Sequence, residues 1–266
     1  MAMSSKSVTI HRVHEQHVSD GSDLVSVEEP LEIRLMQGGN AQPISITMRT
    51  PGHDAELAVG FFFTEGIVRK KADVIALSQP DNNIVVVELN ASQPIAQATL
   101  ARNFYTTSSC GVCGKASIDA VSVKYAAIES NIQVDAKTLW QLPTLARASQ
   151  TNFAETGGSH ASSLFTMEGN LLLTREDVGR HNALDKVIGH CLLHEINMRN
   201  TILLVCGRAS FELIQKAAVA GIPVVAAIGA PSSLAVELAN ESGISLIGFL
   251  KAQRFNIYSH PNRIKT

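Results

Sequence analysis

Thr201-Ile202-Leu203-Leu204-Val205-Cys206 is followed by Gly207-Arg208-Ala209-Ser210, by the stretch Phe211 to Ala220, and by a second apolar run, Ile222 to Ile228. The two apolar runs have strand length, and the stretch between them has helical spacing. Ser232 to Asn240 predicts another helix and Ile244 to Phe249 a third strand. Strands apolar on both faces, alternating with helices, predict a parallel sheet covered on both sides. The last third of the chain therefore reads as α/β.

Upstream of it, Asn182 to Met198 predicts a helix with apolar positions at 184, 187, 188, 191 and 192. Ala161 to Met167 and Asn170 to Thr174 read as strands joined at Glu168-Gly169. Asp135 is a helix-capping residue for a stretch running to Gln150, with Pro143 inside it to kink or split the helix. Before this point the pattern is mostly β. Val8 to Val13, Pro30 to Leu35, Ile44 to Arg49 and Ile84 to Leu89 read as strands, and Gly38-Gly39-Asn40 turns the second into the third. His53 to Gly66 is a helix candidate with Leu57, Phe61 and Phe62 on one side. The expected fold class is α/β (α+β overall), divided into a β-rich domain over residues 1–135 and an α/β domain over residues 136–266.

The 266 residues are 45% hydrophobic and 17% charged, with a formal net charge of -2. That balance lacks the basic field expected of a protein that binds nucleic acid or an anionic membrane. No apolar stretch reaches transmembrane length, the nearest being Ile222 to Ala230. No apolar run follows Met1 to Ser7, so no signal peptide is expected. Four cysteines in a chain of this size are not a disulfide framework, and the expected setting is cytoplasmic with reduced thiols.

In open α/β sheets, ligands bind beyond the carboxyl ends of the strands. Those ends are Gly207-Arg208-Ala209-Ser210, Gly229-Ala230-Pro231-Ser232-Ser233 and Phe249-Leu250-Lys251-Ala252-Gln253-Arg254. The serines stand where helix N-termini begin, and Arg208, Lys251 and Arg254 add positive charge. The three segments together describe a rim for an anionic, nucleotide-like ligand, although each serine alone has a plain role as a helix cap. The polar run Glu176-Asp177-Val178-Gly179-Arg180-His181-Asn182-Ala183-Leu184-Asp185-Lys186 is either a binding cluster or a capped helix whose charges pair on a solvated face, and spacing favours the second.

Thr106-Thr107-Ser108-Ser109-Cys110-Gly111-Val112-Cys113-Gly114-Lys115 places two thiols between glycines, ahead of a helical pattern from Ala116 to Ala127. A helix N-terminus and Lys115 both lower a thiol pKa, and the thiolate is the reactive form. Four readings stand beside one another: half of a zinc site, a thioredoxin-type redox pair, inert thiols, and a persulfide carrier. Zinc needs four ligands, and Cys191 and Cys206 do not repeat the spacing; both read as core packing. His181, His190 and His194 are not singled out by metal-ligand spacing, so no metal site is expected.

Ser108 to Lys115, Glu176 to Lys186, Gly207 to Glu212, Ile222-Pro223, Gly229 to Ser233 and Gly248 through Tyr258 together resemble the FdhD family, in the order that family has them. The resemblance implies a sulfurtransferase needed for formate dehydrogenase activity. Such a protein takes persulfide sulfur from a cysteine desulfurase and passes it to the molybdenum cofactor in its bis-molybdopterin guanine dinucleotide form. It implies that Cys110 carries the persulfide, that Cys113 assists or resolves it, and that Phe249, Leu250, Lys251, Ala252, Gln253 and Arg254 contact the cofactor as a transient ligand, with no permanent cofactor. It also implies a homodimer and a C-terminal domain similar to cytidine deaminases, a three-layer α/β/α fold. The deaminase zinc signature is absent, so deamination does not come with the fold. The rival function is a non-catalytic cofactor chaperone whose CxxC is a metal or disulfide site.

Overall fold

The computed structural model describes residues 4–91 and 125–266. Cys110 and Cys113 lie outside the described residues. The N-terminal strands are β1 (Ser5–His14), β2 (His17–Ser26), β3 (Glu29–Gln37), β4 (Asn40–Arg49), β5 (Val74–Asp81) and β6 (Ile84–Leu89), with helix α1 (Asp54–Thr64) between β4 and β5. β1 and β2 form a separate hairpin, while the others form a sheet ordered β4-β3-β6-β5. Leu31, Ile33 and Leu35 of β3 bury their side chains under Leu57, Ala58 and Phe62 of α1. The hairpin is mostly exposed and is held at its base, where Ser26 Oγ donates to Asn152 Oδ1 at 3.0 Å and Asn152 Nδ2 to the Ser4 carbonyl at 3.1 Å.

The second half contains β7 (Val134–Asp135), α2 (Ala136–Ala148), α3 (Thr151–Thr156), β8 (His160–Thr166), β9 (Leu171–Asp177), α4 (Arg180–Leu193), β10 (Thr201–Val205), α5 (Phe211–Ala220), β11 (Val224–Ala227), α6 (Ser233–Ser242), β12 (Ser245–Lys251), β13 (Arg254–Ile257) and β14 (Ile264–Lys265). Six strands form one sheet ordered β13-β12-β11-β10-β8-β9. Ile202, Leu204, Val224, Ala226 and Ile247 face α2 on one side. Leu203, Val205, Val225, Ala227 and Leu246 face α4, α5 and α6 on the other. This alternation, with every side chain buried, is the three-layer arrangement expected of the C-terminal half, and the chain is α/β as read from sequence. β7, just before the expected domain boundary, pairs in parallel with β14 at the opposite end of the chain.

Local details depart from the sequence reading for physical reasons. Within this sheet only β10, β11 and β12 pair in parallel; β8 pairs antiparallel with β10, while β9 and β13 pair antiparallel with β8 and β12 because each follows a tight turn rather than a helical crossover. Asp135 does cap α2, accepting from the Lys137 amide at 2.8 Å, yet the helix continues through Pro143 and stops at Ala148. α4 ends at Leu193 instead of Met198, since Glu195 adopts a left-handed backbone at φ 55°. Among the described residues no helix is long and apolar enough to cross a membrane.

The two halves meet where α1 crosses α4. A Cβ at Gly60 would lie 1.9 Å from the Asp185 carbonyl oxygen, and one at Gly189 would lie 1.9 Å from the Glu56 carbonyl oxygen. The helices therefore touch backbone to backbone, which glycine alone allows. Replacing either Gly60 or Gly189 with Ala forces the helices apart and costs about 3 kcal/mol or more. Denaturant unfolding of G60A and G189A is the check. A midpoint like that of the parent chain would mean the helices do not cross this closely.

Candidate functional site

The strand-end rim is assembled as the sequence suggested. The Gly229 amide donates to the Gly207 carbonyl at 2.9 Å, the Ala209 amide to the Ala230 carbonyl at 3.1 Å, and the Phe249 amide to the Gly229 carbonyl at 3.0 Å. Ala209 and Pro231 also pair as an isolated bridge. The three segments thus lie side by side. Two glycines allow it: a Cβ on Gly229 would sit 3.1 Å from the Gly207 oxygen, and one on Gly248 would sit 2.9 Å from Pro231 Cδ.

The expected contact stretch has mixed exposure. Phe249 takes a left-handed φ of 53° within a bulge between Gly248 and Lys251, and it is 43% exposed. Lys251 and Arg254 pair in register across Ala252-Gln253, and all four are exposed, with Gln253 at φ 65°. Leu250 is buried against the α2 side of the sheet, so it offers a ligand backbone atoms rather than a side chain. Arg208 is exposed on the neighbouring loop. Ser232 caps α6 through the Ala235 amide at 3.3 Å. Ser210 begins α5 with a buried Oγ that makes no hydrogen bond.

The polar run at residues 176–186 is not solvated. Lys186 and Asp177 are buried and form an ion pair at 2.7 Å. Lys186 Nζ also donates to the Thr50 carbonyl at 2.8 Å, and Asp177 accepts from the amides of Thr50 at 3.2 Å and Gly179 at 2.8 Å. Asn182 Nδ2 reaches the Met48 carbonyl at 2.8 Å. Burial pushes the Asp177 carboxyl up, while Lys186, Gly179 and Asn182 work against that push. Glu176 accepts from the Asn152 and Phe153 amides at 2.9 and 2.8 Å, taking the N-terminus of α3. Deeper in α4, Asp185 pairs with Lys216 at 2.9 Å and accepts from Thr64 Oγ1 at 3.0 Å. The run is a clamp between the halves, with Asp177 paired to Lys186 and Asp185 to Lys216 in the interior.

The remaining candidates are Cys191, Cys206 and three histidines. Cys191 is fully buried in the core, as read, and burial pushes its thiol up to about 12. His190 Nδ1 pairs with the Glu56 carboxylate at 2.9 Å and its ring stacks on His194 at 4.3 Å, and His181 lies 3.4 Å from Glu212. Among the described residues no cluster of three or more His, Cys, Asp or Glu side chains is placed to hold a metal ion. Cys206 departs from the core-packing reading. It is partly exposed and lines a cavity together with His160. The signal was its place beyond the end of an apolar strand, where α/β proteins put ligands.

A family model described as the FdhD/NarQ family matches residues 26–265. The chain belongs to the FdhD/NarQ family. Relatives named "Sulfur carrier protein FdhD" include one from Mycolicibacterium paratuberculosis, 48% identical over 99% of this chain and 100% of its own length. Another, from Streptomyces coelicolor, is 47% identical over 95% and 93%. One from Saccharolobus solfataricus is 41% identical over 99% and 100%. A crystal structure from Desulfotalea psychrophila has a TM-score of 0.82 at 23% identity, covering 99% of this chain and 100% of that one, and shares the fold.

The clamp makes a testable demand on this FdhD/NarQ member. Lys186→Met leaves the buried Asp177 carboxylate unpaired, and breaking such a pair costs about 3–5 kcal/mol. The Asp177 pKa then rises further above its unfolded value. Its contribution to stability is fullest below the unfolded value and is lost as pH rises through the folded one. The deficit of K186M against the parent chain, measured by urea unfolding, should therefore shrink from pH 7 to pH 5. A deficit that grows on acidification would assign the charge to another group.

Proposed function

We propose that this chain is a cytoplasmic sulfur carrier serving formate dehydrogenase. The observation that carries the reading is identity of 41–48% across nearly the whole chain to relatives named as sulfur carrier proteins. In this reading Cys110 attacks the outer sulfur of a cysteine desulfurase persulfide and holds that sulfur as its own persulfide. Cys113 assists or resolves it. The sulfur then passes to the molybdenum cofactor in its bis-molybdopterin guanine dinucleotide form, which is cargo rather than a resident group. The protein acts as a homodimer.

The rim suits such a cargo. Pyrophosphate oxygens are strong acceptors, and Arg208, Lys251 and Arg254 are exposed donors on adjoining loops. Phe249, held outward beside them, offers a ring face to a base. The close packing at Gly229 and Gly248 holds the three segments together, so that these groups share one rim.

Incubation with a cysteine desulfurase and free cysteine should add one sulfur atom to the intact mass, removable by reductant and absent from Cys110→Ala. The same substitution should abolish activation of formate dehydrogenase. A fully active C110A would overturn the carrier reading in favour of a chaperone. Separately, Arg254→Ala should weaken guanosine diphosphate binding roughly 10- to 100-fold, the loss of one charge-assisted hydrogen bond. Unchanged affinity would move the cargo site off this rim.

A further inference from the structure

The face of the large sheet under α2 carries a second reactive pair. Between α2, the start of α3 and the ends of β8 and β10 lies a cavity of about 520 Å³. That is within the ~300–1,000 Å³ range of small-molecule pockets. Its polar wall includes Arg147, Gln150, Ser159, His160, Ser163 and Cys206. The β8–β10 ladder sets the pair: Val205 lies opposite Ser162, and the Cys206 amide then donates to the Ala161 carbonyl at 3.1 Å. Cys206 Sγ accepts from the Ala161 amide at 3.1 Å and stands 3.5 Å from His160 Nδ1. The Arg147 guanidinium is held 4.0 Å from the centre of the Phe153 ring at the same wall.

The surroundings set the resting charges. Burial pushes His160 down, Arg180 adds to that, and Asp177 opposes it, which leaves an uncharged imidazole at neutral pH. Burial pushes the Cys206 thiol up, with Glu176 adding to the push and the Ala161 amide working against it. A protonated thiol beside a neutral imidazole is a nucleophile and base waiting for an electrophile. Cys191, fully buried in the core, has no such access.

We propose that Cys206, with His160 as its base, takes the outer sulfur atom of a low-molecular-weight persulfide bound in this cavity, its carboxylate set against Arg147. As Sγ attacks the outer sulfur, the thiol proton passes to His160 Nδ1. The donor S–S bond breaks and a new S–S bond forms at Cys206. The electron pair leaves on the donor's inner sulfur, which takes the proton from His160. One thiol and one persulfide become one persulfide and one thiol, with no net oxidation. The choice of a sulfur substrate rests on the carrier reading above, whereas the site is independent of Cys110.

The test uses the full chain carrying Cys110→Ala and Cys113→Ala, exposed to cysteine persulfide and followed by intact mass and peptide mapping. One sulfur atom on the Cys206 peptide, removed by reductant and absent after a further Cys206→Ser change, is expected. His160→Gln should slow the loading roughly 100-fold and make its rate climb more steeply with pH, since the thiol must then ionise unaided. His160→Asn, smaller at the same place, serves if the first variant unfolds. No sulfur at Cys206, or loading at the parent rate in the His160 variants, overturns the proposal. Desulfurase loading of Cys110 in the parent chain is read in parallel, so failure of the carrier reading and failure of this site give different results.

Discussion

Everything in this fold depends on two helices lying backbone to backbone. α1 belongs by sequence to the β-rich half and covers its sheet, while α4 covers the large sheet of the other half. At Gly60 and Gly189 each helix presses against a carbonyl of its neighbour. Such an approach gains dispersion contacts along both helices, and it leaves no room for side chains to mediate. Polar groups near the crossing are accordingly placed with little freedom.

The buried charges follow from that. Arg175 grips Glu56 with two hydrogen bonds of 2.6 and 2.9 Å, and His190 adds a third at 2.9 Å. Burial alone would raise the Glu56 carboxyl, but Arg175, His53 and His190 hold it well below the usual carboxylate range. Lys186 and Asn182 on α4 reach back to carbonyls at residues 50 and 48. Lys216 bridges Asp185 on α4 and Thr64 on α1; burial works to strip its proton, while Asp185, Glu212 and Glu65 keep its pKa raised. A buried pair gains little over apolar packing but is costly to break. These pairs therefore fix which way the halves dock more than how tightly they hold.

What the sequence disclosed follows the same physics. β10, β11 and β12 were legible because both of their faces are buried, and a buried strand leaves a continuous apolar run. β2 was not, since His17 to Ser26 is exposed on nearly every residue and has no core to imprint a pattern. The rim was legible because strand ends and glycines are local features. The role of residues 176–186 was not, because their partners at residues 47–50 lie far off in the chain. A polar run at a helix start looks the same whether water or a distant carbonyl receives it. Cys206 was misread for a similar reason: the apolar run before it is local, whereas the cavity beyond it is made by α2 and β8.

The carboxyl edge of the large sheet therefore serves two surfaces. Toward α5 and α6, the rim is open, glycine-lined and positively charged, suited to a large anion that arrives and leaves. Toward α2, the cavity is partly open and is lined by a thiol and an imidazole. Both are built from the same turn: Cys206 closes β10 and Gly207-Arg208 begin the rim, with the Gly207 carbonyl already bonded to Gly229. Gly207 alone separates Cys206 on one wall from Arg208 on the other, so the two surfaces share one stretch of backbone.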